Sequence, residues 1–312
     1  STLFIYSAIY FTLVMLVSLY PHKILDTVGY VLSPLKILSL LILGITAFII
    51  PTGTISPAIH NYVNSPVSEG FINGYLTMDT LGALVFGIVI INAIRSRGVT
   101  DKKLITRYAV WASLISGIGL TLVYLSLFKL GMGSHDVAAN ASNGAIILHA
   151  YVQHAFGGFG SVFLAAMIFI ACLVTAIGLT CACAGYFEQI TKIHYRRWVF
   201  ILVGFAFVIS NLGLTKLIAF SVPILSAIYP PAIVVILLSF FWGLFRIPTR
   251  VIAPTAAVAL LFGIIDAMKA ADLARFLPTS LTNLPLSEQN LAWLIPALLI
   301  FVFAAIRDRI KK

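Results

Sequence analysis

The sequence predicts an all-α polytopic membrane protein, and three observations carry that prediction. Of 312 residues, 61% are hydrophobic and only 10% are charged, whereas an ordinary soluble domain carries about 25% charged residues. The mean hydropathy is +1.06. The apolar residues gather into runs of the length a bilayer requires, about 20 residues of helix. Together these features exclude a soluble globular domain. They also exclude a disordered chain, which needs low hydrophobicity and high charge.

Nine apolar runs follow in order: residues 3–20, 31–50, 70–94, 108–128, 159–187, 198–215, 217–245, 251–268 and 291–306. The second carries Lys36 near one end, where its long stem can reach the interface. The third contains Asp79 among glycines and hydroxyls. The fifth is long enough to cross with tilt. The seventh is interrupted by Pro223 and by Pro230–Pro231, which predicts a kink or a break because proline removes helical hydrogen bonds. The eighth ends near Asp266, expected at the outer surface, where an acid is tolerated.

The connecting segments give the orientation. The formal net charge is +10, from 20 Lys and Arg against 10 Asp and Glu. Sixteen of those 20 cations fall in one set of alternate connections: Lys23 and Lys36, then those of 95–107, 192–197, 246–250 and 307–312. The other four are Lys129, Lys216, Lys269 and Arg275. Basic loops stay in the cytoplasm, so the C-terminus is expected inside and the first residue outside. A chain that starts outside at Ser1, with no basic leader or cleavage motif, is expected to lack upstream spans. The segment 51–69 reads as an external Pro/Ser/Thr/Asn loop and 131–143 as an external Gly/Ser/Asn stretch. The helical pattern at 145–156 is too short and polar to span and is expected to lie at the outer interface.

The residues that could carry chemistry lie mainly in the third run. GYLTMDTLGALVFG at 74–87 places a carboxylate, hydroxyls and glycines in one span. An intramembrane Asp costs about 2.5–3.5 kcal/mol on insertion scales and usually meets water, an ion or a partner. Glycines let such a helix unwind and offer its backbone to a ligand, as in secondary transporters. The plainer reading is close helix packing, with Asp79 capping a local helix start. In the fifth run, Thr175 and Thr180 either bond back to their own helix or offer neutral oxygens to a small hard cation. His149, Gln153 and His154 form no zinc motif. Cys172, Cys181 and Cys183 share one run without a CxxC pair, and read as packing residues. The basic loop 95–107 reads as a topology determinant and anionic-lipid contact. The chain has no phosphate-binding loop, diphosphate-binding aspartate motif, nucleophile elbow or selectivity-filter signature. No cofactor and no enzymatic activity are expected.

Several stretches then resemble a known family. They are GYLTMDTLGALVFGIVIINAIRSRGV (74–99), HAYVQHAFGG (149–158), ACLVTAIGLTCACA (171–184), SNLGL (210–214) and IYPP (228–231). The chain is similar along its whole length to the branched-chain amino acid:cation symporter family, the BrnQ-type carriers. That resemblance implies a LeuT-like inverted-repeat fold, with nine of about twelve transmembrane helices present in a single transporter domain, 1–312, that is truncated at the N-terminus. It makes 70–245 the second five-helix repeat and 251–312 two extra helices. It implies cation-coupled uptake of Leu, Ile and Val across the cytoplasmic membrane, with Na⁺ as the expected coupling ion and H⁺ as the alternative. It also places substrate contact at Asp79, Thr80, Gly82, Ala83, Phe86 and Gly87, with Phe86 as an apolar wall. The cation would sit at Thr175, with Thr180 second. The missing first helix would remove half of each site, so the implied function belongs to the intact protein. Competing readings are an H⁺-coupled carrier of another amino acid, a passive channel, and a membrane enzyme using Asp79 and the histidines.

Overall fold

The computed structural model describes residues 2–20, 33–50, 53, 55, 57–58, 62–75, 77–139, 141–271, 273, 275, 277–278, 285–287 and 291–310. Ser1, Lys23, Lys311, Lys312 and parts of the 51–69 loop lie outside the described residues. Among those described, every regular element is helical. The helices are α1 (Thr2–Leu19), α2 (Ser33–Ile49), α3 (Pro66–Tyr75), α4 (Asp79–Ser96), α5 (Lys102–Met132), a single turn α6 (His135–Ala138), α7 (Gly144–Ile190), α8 (Tyr195–Ser210), α9 (Leu214–Phe240), α10 (Pro248–Ala270) and α11 (Leu294–Ile310). A short 3₁₀ turn, Trp242–Leu244, follows α9.

Six of these, α1, α4, α5, α7, α9 and α10, are long and apolar enough to cross a membrane. The sequence runs at 31–50, 198–215 and 291–306 correspond to α2, α8 and α11, which have 17, 16 and 17 residues. Their outer surfaces are apolar: on α5, Trp111, Ile115, Ile118 and Leu122 are all exposed. An apolar surface of that extent needs a non-aqueous neighbour. The protein is a multi-pass membrane protein.

The chain divides into two units, Ser1–Pro57 with Ala83–Thr215, and Ala58–Gly82 with Lys216–Lys312. In the first unit, α2, α5 and α7 share a core of Leu43, Ala47, Leu130, Tyr151, Val152, Leu164 and Met167. A second core joins α1, α7 and α8 through Val14, Ile177, Ala184, Val199 and Val203. Polar groups close its edges. The Tyr195 hydroxyl donates to the Ser18 carbonyl at 2.8 Å, and Trp198 stacks on Phe187 with centroids 4.6 Å apart while its indole N–H donates to Thr191 Oγ1.

The segment 145–156 is helical as expected, but it is not merely a polar interfacial helix. It opens α7, where the Asn143 side chain accepts from the amides of Ala145 and Ile146. Its apolar face buries Tyr151 and Val152 in the first core. The polar face, with His149, Gln153 and His154, is exposed. Gly157, at φ 61° and ψ −151°, separates it from the spanning part of α7. Only glycine adopts that conformation readily.

In the second unit, α9, α10 and α11 share a core of Val234, Leu238, Ile252, Ala259, Trp293 and Ala297. Two sequence expectations are corrected here. First, α9 is one continuous helix through Pro223, Pro230 and Pro231, not a broken one. Each proline removes its own N–H from the ladder, yet the helix runs on through all three. Second, Asp266 is not a surface acid: it is only 2% exposed. It continues the buried stripe of Ile252, Thr255, Ala259 and Gly263, which turns its side chain inward. Asp308, also buried, has clear partners: its carboxylate accepts from the amides of Arg246 at 2.7 Å and Ile247 at 3.2 Å. It thereby satisfies two backbone donors in the chain just before α10, which begins at Pro248.

Candidate functional site

The third apolar run is two helices. The chain leaves the helical path after Tyr75 and resumes it at Asp79; Leu76 lies outside the described residues. Thr77 secures the turn, because its hydroxyl donates to the Gly74 carbonyl at 2.8 Å and its amide to the same oxygen at 3.3 Å. Asp79 opens α4, where a carboxylate is favoured by the helix dipole. A break is therefore present, but it falls before Asp79: the 79–87 stretch is helical throughout, and Asp79 at a helix start is what the plainer reading expects. The break leaves the last carbonyls of α3 and the first amides of α4 without regular helical partners.

Beside this break the second unit holds a cleft of about 320 Å³, lined by Gly70, Phe71, Gly74, Thr80, Tyr229 and Ile233. That volume is at the small end of ligand pockets, which run from about 300 to 1,000 Å³. Phe71 and Ile233 give it apolar walls. Thr80 and Tyr229 contribute hydroxyls. The Tyr229 ring is 1% exposed, and its hydroxyl is set against Thr77, Thr80, the Leu81 backbone and the Asp79 carboxylate. One tyrosine of α9 thus lies beside Thr77 and the first residues of α4.

The sequence-predicted residues divide accordingly. Thr80 lines the cleft, and Asp79 lies beside Tyr229. Gly82 ends the portion of α4 assigned to the second unit, while Ala83, Phe86 and Gly87 belong to the first. There Phe86 packs on α7: a Cβ placed on Gly178 would stand 2.8 Å from the Phe86 ring. Gly178 lies between Thr175 and Thr180. Both threonines are half-buried, and the Thr175 hydroxyl donates to the Ala171 carbonyl of its own helix at 2.9 Å. Five residues apart, they point about 140° from each other around the helix, so they do not form one face. Among the described residues, no group of three or more His, Cys, Asp or Glu could hold a metal ion.

Comparison with known proteins identifies the group to which this arrangement belongs. The family profile "Branched-chain amino acid transport protein" matches residues 1–311. The chain belongs to that family. The branched-chain amino acid transport system 3 carrier protein of Pseudomonas aeruginosa is 59% identical over 310 residues, which is 99% of this chain and 71% of the relative. The branched-chain amino acid permease BrnQ of Escherichia coli K12 is 59% identical over 307 residues, 98% of this chain and 70% of the relative. The permease BraB of Bacillus subtilis is 39% identical over 303 residues, 95% and 67% of the two chains. No solved structure matches the chain. The family consists of transport proteins, not enzymes.

Sequence reasoning missed Tyr229, and with it Gly70, Phe71, Gly74 and Ile233 as cleft residues. A signal was available in IYPP: a tyrosine directly before two prolines, inside an apolar helix, needs a partner for its hydroxyl.

Proposed function

We propose that the protein takes up branched-chain amino acids across the cytoplasmic membrane, driven by a cation gradient, with Na⁺ as the coupling ion. The observation that carries this reading is the break between α3 and α4 beside an apolar cleft. An aliphatic amino acid has a zwitterionic head and an apolar tail. The amide end of α4 suits the carboxylate, and the carbonyl end of α3 with Asp79 suits the ammonium. Thr80 and Tyr229 orient the head, and Phe71 and Ile233 receive the side chain. The names of the relatives supply the substrate class.

Gly82, Ala83, Phe86 and Gly87 stay proposed substrate contacts on the family resemblance alone. Residue 86 lies seven positions beyond Asp79, about 10 Å along the axis, and packs on the helix bearing Thr175 and Thr180. Thr175 is assigned to the cation, with Thr180 as the second choice rather than a partner ligand. Its hydroxyl oxygen keeps a lone pair while its proton bonds Ala171. The proposed orientation places the C-terminus in the cytoplasm and Ser1 outside, and the proposed architecture remains LeuT-like.

The test substitutes Asp79→Asn and Thr175→Ala separately in the carrier made from its intact gene. Asp79→Asn is expected to raise the leucine KM, and Thr175→Ala the Na⁺ concentration for half-maximal uptake. Unchanged leucine affinity and cation dependence in both variants, with normal membrane insertion, would overturn these site assignments.

A further inference from the structure

The connection between α9 and α10 is tied to the end of α11. The Asp308 carboxylate accepts from the amides of Arg246 and Ile247 at 2.7 and 3.2 Å. The Phe245 ring meets Phe301 edge-on, with centroids 6.2 Å apart. These contacts bring Arg250, in the first turn of α10, and Arg307, in the last turn of α11, to the same end of the helix pair. There they line a cleft of about 260 Å³ together with Ala304 and Asp308.

The charge of this cleft is unbalanced. It holds two guanidinium groups and one carboxylate, and that carboxylate already accepts two backbone amides. Among the described residues, no acid lies within ion-pair distance of Arg250 or Arg307. Planar guanidinium forks match the oxygens of a phosphate group. The dipole at the start of α10 favours an anion at the same end.

The surroundings indicate which phosphate fits. On α11, Leu299, Phe303 and Arg307 recur at four-residue spacing along one face, and the first two are 67% and 64% exposed. On α10, the face of Arg250 continues through Pro254, Ala257 and Leu261, all exposed. Each arginine therefore stands at the end of an apolar stripe. Phe240, Phe241 and Trp242, where α9 ends, are exposed as well, and such aromatics mark the headgroup level of a bilayer. The cleft is smaller than the pockets of about 300–1,000 Å³ that enclose a whole small ligand. It has room for a headgroup, with the acyl chains left outside along the stripes. Basic pockets between membrane helices hold anionic lipid headgroups in this way.

We infer that the cleft between α10 and α11 binds the phosphate headgroup of an anionic phospholipid through Arg250 and Arg307. The site is separate from the substrate cleft and from the proposed cation site.

The experiment is native mass spectrometry of the purified full-length carrier titrated with phosphatidylglycerol, with phosphatidylcholine and inorganic phosphate as competing probes. One phosphatidylglycerol is expected to bind more tightly than the rest, and neither competitor is expected to displace it. The paired change Arg250→Gln with Arg307→Gln alters two exposed side chains and is expected to leave melting near that of the parent. It is expected to raise half-saturating phosphatidylglycerol about tenfold or more for the tight component. Ala304→Leu fills the cleft with both charges in place and is expected to weaken the same component. Arg95→Gln with Arg97→Gln removes equal charge from the 95–107 loop and is expected to leave it unchanged. Unchanged affinity in the Arg250/Arg307 pair or in folded Ala304→Leu, an equal loss in the Arg95/Arg97 pair, or displacement by inorganic phosphate or phosphatidylcholine would overturn the assignment.

Discussion

Replacing Tyr229 with phenylalanine removes one oxygen and keeps the ring. The ring is 1% exposed, so the packing of α9 is retained and the change is confined to the hydroxyl. That hydroxyl faces Thr77, Thr80, the Leu81 backbone and Asp79, the polar groups of the helix break. A single hydrogen bond is worth about 0.5–1.5 kcal/mol net, which corresponds to roughly 2- to 13-fold in an equilibrium constant. Tyr229→Phe is expected to raise the leucine KM within that range while expression and thermal stability stay near those of the parent. Tyr229→Ala differs in kind. It also opens a cavity, and large aromatic truncations in a core cost about 3–5 kcal/mol. The assay is concentration-dependent leucine uptake into proteoliposomes, with melting in detergent measured alongside. A leucine KM unchanged in Tyr229→Phe would refute the idea that this hydroxyl orders the break. A large loss of stability in the same variant would show that it is a structural anchor instead.

Other substitutions test the surrounding framework. Gly178→Ala places a methyl 2.8 Å from the Phe86 ring; overpacking of this kind costs about 1–3 kcal/mol, and the loss should shrink when Phe86→Ala is added, as a double-mutant cycle on melting would show. Asp308→Ala leaves the amides of Arg246 and Ile247 without their acceptor, with an expected cost of about 1–3 kcal/mol in detergent unfolding and little change in leucine KM. Asn143→Ala removes the side chain that accepts from two amides at the start of α7, with an expected cost of about 1 kcal/mol and earlier proteolysis near that helix end.

Much of the fold was legible because apolar runs and helices coincide in a membrane, where the backbone must satisfy itself internally. The break in the third run was legible too: glycine and threonine on either side of Asp79 weaken one helix and supply a local turn. What escaped depends on which face of a helix meets a neighbour. IYPP reads as a disruption along the chain, yet α9 passes through it unbroken, and the tyrosine beside the prolines faces the break. Asp266 near a run's end reads as a surface acid, and only the packing of α10 turns it inward. The family resemblance makes Phe86 a wall of the substrate site, and its packing on Gly178, 92 positions away in the sequence, could not be read from spacing. Such pairings are set by tertiary packing, which spacing along one chain does not encode.

The central claim is cation-driven uptake of aliphatic amino acids, and labelled L-leucine uptake tests it most directly. Vesicles carrying the protein from its intact gene would be compared with and without an inward Na⁺ gradient. The account predicts saturable, Na⁺-stimulated uptake that isoleucine and valine compete away. Uptake that ignores Na⁺ and follows a proton gradient would contradict the choice of ion, and no leucine uptake under either gradient by the inserted protein would contradict the claim itself.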